Sequence, residues 1–156
     1  MAGLKPPGIT ADECPYTIIG YNSDGYGWTP SVLNDGKIGS TYSEVMTFGY
    51  PQNYLEFKVD TDFQIYYLDG WRYRIDRSNL GISCKNKDNT YTLLNSTLPD
   101  ITRYITTDGW CNLTGKLPAG TYKFTMLAEC IIAEIFIDNQ FQFQLHNNNR
   151  FHTYII

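Results

Sequence analysis

The stretch Tyr54-Leu55-Glu56-Phe57-Lys58-Val59 carries an apolar side chain at every second position from its second residue onward. Successive side chains of a β-strand point to opposite faces of a sheet, so these apolar groups would share one face. The same two-residue period returns in residues 63–67 and 71–75. A strand with one buried and one solvated face is typical of antiparallel sheets, and the sequence therefore predicts them here.

Further strands are predicted on both sides of this region, because β-branched and aromatic residues fill short runs. The runs are Tyr16–Ile19, Gly81–Cys84, Tyr91–Leu94, Arg103–Ile105, Thr121–Leu127, Ile131–Ile137, Phe141–Leu145 and Phe151–Ile156. Turn residues separate them, and Asp69-Gly70 predicts a tight hairpin turn. About ten short antiparallel strands with such spacing predict an all-β fold, a sandwich or barrel.

Length and composition limit the possible classes of protein. The chain has 156 residues, of which 42% are hydrophobic and 18% charged, and its net charge is -4. This composition excludes intrinsic disorder, and the lack of a basic cluster argues against binding to nucleic acid. No apolar run approaches the roughly 18 residues that span a membrane, so no membrane insertion is expected. No apolar leader follows Met1, so no secretory signal is predicted.

The organisation predicted for the chain is one domain with an added arm. Residues 1–14, which include Pro6-Pro7-Gly8, are predicted to form an extended N-terminal arm outside the core. Residues 15–156 would form a single β-sandwich domain that closes with a C-terminal hairpin. Thr29-Pro30 predicts the start of one helical turn. The four cysteines lack the short spacings of a zinc site and are expected to be buried, reduced thiols.

Three segments resemble a known family. They are the helical turn and loop at 31–42, the strand at 54–59, and the late stretch Ile132-Ala133-Glu134-Ile135-Phe136-Ile137. In this order they are similar to the galactose-binding-like, discoidin-type C domains. The resemblance implies a jelly-roll β-sandwich.

The same resemblance implies a structural calcium ion where the Asp-Gly loop meets the closing strand. Its ligands would be Asp35, Thr41 and Glu134, with Ser40 or Asn34 as further oxygen donors. Calcium prefers six to eight oxygen ligands, which loop carbonyls and carboxylates can supply. The alternative is that Asp35 only forms a turn and that Glu134 is an exposed strand residue.

Loop aromatics suggest a platform for sugars, since sugar rings stack on aromatic faces while polar side chains bind the hydroxyl groups. The candidate ligand-binding residues are Tyr26, Trp28, Trp71, Arg72, Arg74, Asp108 and Trp110. Aromatics on loops at one end of a rigid sandwich are a common way to bind ligands. The alternative is that each large aromatic belongs to the core, and burial is expected for Trp110 before Trp28 or Trp71.

These features predict a non-catalytic module that recognises a surface glycan. Its expected setting is a virion, as a head-fibre, tail or decoration protein made in the host cytoplasm. Residues 1–14 would contact other virion subunits, and a homo-oligomer such as a trimer would give multivalent binding. Two alternatives stay open: a purely structural assembly protein without a ligand, and a carbohydrate-active enzyme, for which no nucleophile or paired-carboxylate signature is identifiable.

Overall fold

The structure, a computed structural model, describes residues 3–70, 78–98 and 109–141. These residues form nine β-strands and one short 3₁₀ helix. The strands are β1 (Thr17–Asn22), β2 (Met46–Phe48), β3 (Tyr54–Val59), β4 (Gln64–Asp69), β5 (Leu80–Lys85), β6 (Tyr91–Leu93), β7 (Trp110–Asn112), β8 (Gly120–Met126) and β9 (Cys130–Asp138). The helix, Pro30–Asn34, lies between β1 and β2 and confirms the predicted helical turn.

The strands form two antiparallel sheets. The five-stranded sheet has the order β1-β3-β8-β5-β6, and the four-stranded sheet has the order β2-β9-β4-β7. Every strand pair in both sheets is antiparallel. The predicted fold class, an all-β jelly-roll sandwich, is confirmed.

The main core lies between the two sheets. The inward side chains of β3, at positions 55, 57 and 59, are buried as the alternation predicts. They meet Ile65 and Ile135 from the opposite sheet in one apolar cluster. Burying a side chain of this size contributes roughly 1.5–3 kcal/mol, so the contact between sheets is the main source of stability.

A second apolar layer covers the outer face of the four-stranded sheet. All nine residues of β9 are buried, on both faces of the strand. On the outer side, Phe136 and Tyr66 pack against Ile9 of the N-terminal segment. Cys14 in the same segment is 5% exposed, and its N–H donates to the Ile137 carbonyl at 2.8 Å. The prediction that this segment lies outside the core is therefore wrong for residues 9 and 14.

Two of the strands were not predicted from the sequence. β2 and β7 have three residues each, which is too short to show an alternating pattern. Four predicted strands fall in whole or in large part outside the described residues: 71–75, 103–105, 141–145 and 151–156. The C-terminal hairpin lies there as well.

All four cysteines are free; Cys14, Cys111 and Cys130 are buried as expected, whereas Cys84 is only half-buried. Among the residues described, no helix has the length and apolar character that crossing a membrane requires.

Candidate functional site

Three tyrosine rings meet at one end of the sandwich, and we call them the tyrosine cluster. Tyr26 lies between the other two, with ring centroids 5.3 Å from Tyr42 and 5.4 Å from Tyr50. Tyr42 is 45% exposed and Tyr50 46% exposed, whereas Tyr26 is half-buried between them. Each ring comes from a different connection, so the cluster is assembled by the fold and by no single motif.

Two glycines make room for these rings. A Cβ atom at Gly49 would collide with the Tyr26 hydroxyl. At Gly25, where φ is +91°, a Cβ atom would lie 2.5 Å from Cε2 of Tyr50. Because no side chain fits at either position, the rings lie directly against backbone, which restricts their movement.

The buried amide of Asn53 ties two of the loops together. Its Oδ1 accepts hydrogen bonds from the N–H groups of Gly49 (3.2 Å) and Tyr50 (3.0 Å). Its Nδ2 donates to the carbonyls of Asn22 (3.4 Å) and Asp24 (3.1 Å). One fully buried side chain therefore fixes the loop that carries Tyr50 relative to the loop that leads to Tyr26.

A carboxylate stands beside the cluster. Glu129 is exposed on the connection between β8 and β9, and the Asn79 amide donates to its backbone carbonyl at 3.4 Å. The pKa of the Tyr26 hydroxyl is raised, first by burial and then by the negative charge of Glu129. A tyrosine is already neutral at physiological pH, and this shift moves the pKa of Tyr26 further from that range, so its hydroxyl can donate a hydrogen bond.

Trp28, a predicted platform residue, lies beneath this end of the sandwich. It is 0% exposed, and its Nε1 donates to the Thr47 carbonyl at 2.9 Å. Its ring stacks on Phe48 with the ring centroids 5.8 Å apart, and the Tyr21 ring centroid lies 5.7 Å from that of Trp28. The prediction that Trp28 is exposed is wrong, because a strand distant in sequence supplies both its hydrogen-bond acceptor and its stacking partner.

The other predicted ligand-binding residues have different outcomes. Trp110 is 4% exposed and packs in the outer apolar layer of the four-stranded sheet, so the prediction that it lies exposed in the platform is wrong and the alternative, burial, holds. The expectation that Trp110 would be buried before Trp28 is not met, since Trp28 is 0% exposed. Tyr26 belongs to the tyrosine cluster. The remaining candidates, Trp71, Arg72, Arg74 and Asp108, lie outside the described residues.

Tyr42 and Tyr50 are not among the ligand-binding residues predicted from the sequence. Gly49-Tyr50-Pro51 has the composition of a turn, and a turn accounts for these residues without any role of Tyr50 in ligand binding. The signal that could have found it is a large aromatic at the tip of a short connection, where no strand pattern requires a core side chain.

The predicted calcium ligands come together only in part. Glu134 is buried, and its side-chain oxygens accept hydrogen bonds from the N–H groups of Leu4 (2.9 Å) and Gly36 (3.0 Å). The Asp35 carboxyl group also contacts it, and burial together with this neighbour raises the pKa of Glu134 to about 8. Glu134 is thus not an exposed strand residue.

Thr41 does not join this pair in the structure. Its hydroxyl lies 3.2 Å from the Ser43 hydroxyl, and its N–H donates to Glu44 at 3.1 Å. Within residues 3–70, 78–98 and 109–141, no group of three His, Cys, Asp or Glu side chains could hold a metal ion. Both carboxylate oxygens of Glu134 already accept hydrogen bonds from N–H groups, whereas a calcium ion would need these oxygens as ligands. Calcium binding stays a prediction, and a melting temperature measured with and without EDTA tests it.

The solved structures that are similar to this chain share little sequence with it. No protein-family model matches the chain, and a search of curated proteins found no match. A fucose binding module of Streptococcus pneumoniae has 13% identity and a TM-score of 0.46, covering 81% of this chain and 92% of that one.

Two further structures are similar to the chain at the same level. A mutant of the lectin binding domain of lectinolysin, complexed with Lewis b, has 13% identity and a TM-score of 0.49, covering 84% of this chain and 97% of that one. CpGH89CBM32-6, produced by Clostridium perfringens, has 13% identity and a TM-score of 0.45, covering 82% of this chain and 94% of that one.

Proposed function

We propose that the chain is a non-catalytic carbohydrate recognition module and that the tyrosine cluster is its binding surface. The observation that carries this proposal is the exposure of Tyr42 and Tyr50, nearly half of each ring, around a central Tyr26. Large aromatic surfaces left in water at the loop end of a sandwich mark a binding site more often than a packing defect.

Binding would combine stacking with hydrogen bonds. The apolar C–H face of a sugar ring packs on a tyrosine face and removes both from water. The tyrosine hydroxyls would then donate or accept hydrogen bonds with sugar hydroxyl groups, and the Glu129 carboxylate would accept hydrogen bonds from them. These polar partners determine the orientation of the sugar, whereas the rings contribute most of the buried area.

The site is ordered before any ligand arrives. The backbone contacts at Gly25 and Gly49 and the four hydrogen bonds of Asn53 hold the rings in place. Ordering a side chain on binding costs about 0.5–1.5 kcal/mol, so rings that are already held avoid part of this cost.

The proposal includes multivalent attachment to a host surface as part of a virion. Single sugar sites of this size are weak, and several copies on one particle would raise the overall binding by orders of magnitude. We expect a homo-oligomer, with a trimer as the specific prediction, and light scattering on the purified full chain tests it. A mass equal to one chain at all concentrations would contradict the oligomer.

A glycan array with matched variants tests the binding surface. The full chain is presented multivalently as wild type, Tyr50→Ala and Leu93→Ala. Leu93 is the control because its side chain is 45% exposed, like that of Tyr50, but lies on β6, at the far edge of the five-stranded sheet. We expect a hit on a defined glycan class that Tyr50→Ala loses and Leu93→Ala keeps. A hit that survives in Tyr50→Ala would place the binding surface elsewhere.

A further inference from the structure

The outer face of the five-stranded sheet carries a second cluster of aromatic and charged side chains, at a distance from the loop end. The register of the strands sets Glu56 opposite Lys123, and Tyr91 opposite Lys85. Tyr54 lies two residues before Glu56 and therefore projects from the same face. We call these five residues the outer-face cluster.

The cluster is held together by direct contacts. The Lys123 ammonium lies 5.3 Å from the centre of the Tyr54 ring and 4.1 Å from the centre of the Tyr91 ring. The Tyr91 hydroxyl donates to the Glu56 carboxylate, and Lys85 lies 3.8 Å from the same carboxylate. An ammonium between two rings is a recognised stabilising arrangement, and it keeps both tyrosines in defined positions on a solvated face.

The charge on this face is opposite in sign to that of the whole protein. The outward positions of β3, β5 and β8 carry Lys58, Lys85 and Lys123. Lys58 lies 3.7 Å from the Asp60 carboxylate and Lys85 lies 3.8 Å from the Glu56 carboxylate, which leaves the Lys123 ammonium as the positive charge in excess. The complete chain has a net charge of -4. An anion would therefore be repelled by the molecule in general and attracted to this face in particular.

We propose that the outer-face cluster binds an anionic saccharide chain. Tyr54 and Tyr91 offer ring surface for sugar rings, and Lys123 with Lys85 offers ammonium groups for carboxylate or sulfate groups. Binding here differs from the proposed function in surface and in ligand, since the tyrosine cluster needs no charge on its sugar.

The sheet supplies the remaining features that an extended chain requires. Thr121 and Thr125 flank Lys123 on the same strand and face, and both are accessible hydroxyl donors. Gly20, opposite Glu56 on the neighbouring strand, has no side chain to block the approach. Aromatic, hydroxyl and ammonium groups therefore lie next to one another on neighbouring strands of this face, which suits a polymer lying across the strands.

Biolayer interferometry with immobilised polysaccharides tests the proposal. The sensors carry polygalacturonate, chondroitin sulfate or neutral dextran, which separates carboxylated, sulfated and uncharged chains. The proteins are wild type, Lys123→Met, Tyr54→Leu and a matched control, Lys116→Met. Lys116 is an exposed lysine paired with Asp62 at 3.8 Å and lies outside this face. Tyr50→Ala is added so that failure of the tyrosine cluster can be recognised separately.

We expect saturable binding to at least one anionic polymer and none to dextran. Lys123→Met and Tyr54→Leu should each weaken it by about tenfold or more, because each removes one direct contact with the ligand. Lys116→Met and Tyr50→Ala should bind as wild type does. If Lys123→Met shows no cooperative unfolding transition and is therefore not folded, polymer binding by Tyr54→Leu alone tests the proposal.

Several results would overturn the proposal. One is the absence of binding to both anionic polymers, and another is equal binding to dextran. Equal loss in Lys116→Met and Lys123→Met would mean general attraction between charges. A concentration-dependent dimer that Tyr54→Leu abolishes, without polymer binding, would make this face a contact between copies of the chain.

Discussion

The N-terminal segment 3–14 and the loops that carry the tyrosine cluster are both irregular in structure, yet they place their apolar side chains differently. The segment buries Ile9 and Cys14 and covers the four-stranded sheet. The loops hold Tyr42 and Tyr50 nearly half exposed. Irregular backbone thus contributes side chains to the core in one region and, in the other, to the surface that we propose for recognition. Changes in the first region should lower stability, and changes in the second should lower binding.

Trp28→Ala should have the largest effect on stability, because Trp28 is the buried base beneath the exposed loops. Removal of a buried Trp side chain leaves a cavity and costs about 3–5 kcal/mol. Urea denaturation followed by fluorescence or circular dichroism measures it. Trp28→Phe is the control: it keeps the stacking with Phe48 but loses the hydrogen bond to the Thr47 carbonyl, so its loss should be smaller. An unchanged midpoint in Trp28→Ala would mean that the ring is not part of the core.

Ile9→Ala should lower the free energy of unfolding by about 2 kcal/mol, since a packed aliphatic side chain of the N-terminal segment is truncated. Lys5→Ala is the matched control in the same segment. Its ammonium lies 3.5 Å from an exposed Asp12 carboxylate, and surface pairs of this kind contribute little. Equal urea midpoints for Ile9→Ala, Lys5→Ala and wild type would mean that this segment lies outside the core, as the sequence predicted.

Stability should also depend on pH through Glu13 in the same segment. Burial raises its pKa from 4.5 to about 7, against the opposing hydrogen bonds from the Ile137 N–H and the Asn34 side chain. The folded-state pKa exceeds the unfolded value, so this contribution to stability is complete below pH 4.5 and is lost as the pH rises through 7.

Between pH 5 and pH 8 the loss from Glu13 should be about 2 kcal/mol. Glu13→Gln should remove that part of the pH dependence, and urea midpoints at the two pH values measure it. The same dependence in Glu13→Gln as in wild type would show that the carboxyl group is not buried.

Tyr50→Ala should have the smallest effect on stability, about 0.5 kcal/mol, because nearly half of the ring is already in water. Its effect on glycan binding should be at least about tenfold, since it removes one stacking face. The combination of these two results separates a recognition residue from a packing residue. A loss of stability as large as that of Trp28→Ala would place Tyr50 in the core.

Alternation predicted β3 well because one face of this strand is buried and the other is not. β9 is buried on both faces, and its apolar and β-branched composition predicted it instead. Alternation missed β2 and β7, whose three residues acquire their partners only through the sheet. The burial of Trp28 depends in the same way on the Thr47 carbonyl, nineteen positions along the chain. The tyrosine cluster joins three connections, so no local pattern could have assembled it. The period of a strand is a local property of the sequence, whereas the exposure of side chains at the loop end depends on contacts between distant segments.

The measurement that tests the central claim most directly is the glycan array with wild type and Tyr50→Ala side by side, both verified as folded. The account predicts a hit on a defined glycan class for the wild type and its loss in the variant, at nearly unchanged stability. A blank array for the folded, multivalent wild type, or the same hit in Tyr50→Ala, would contradict it.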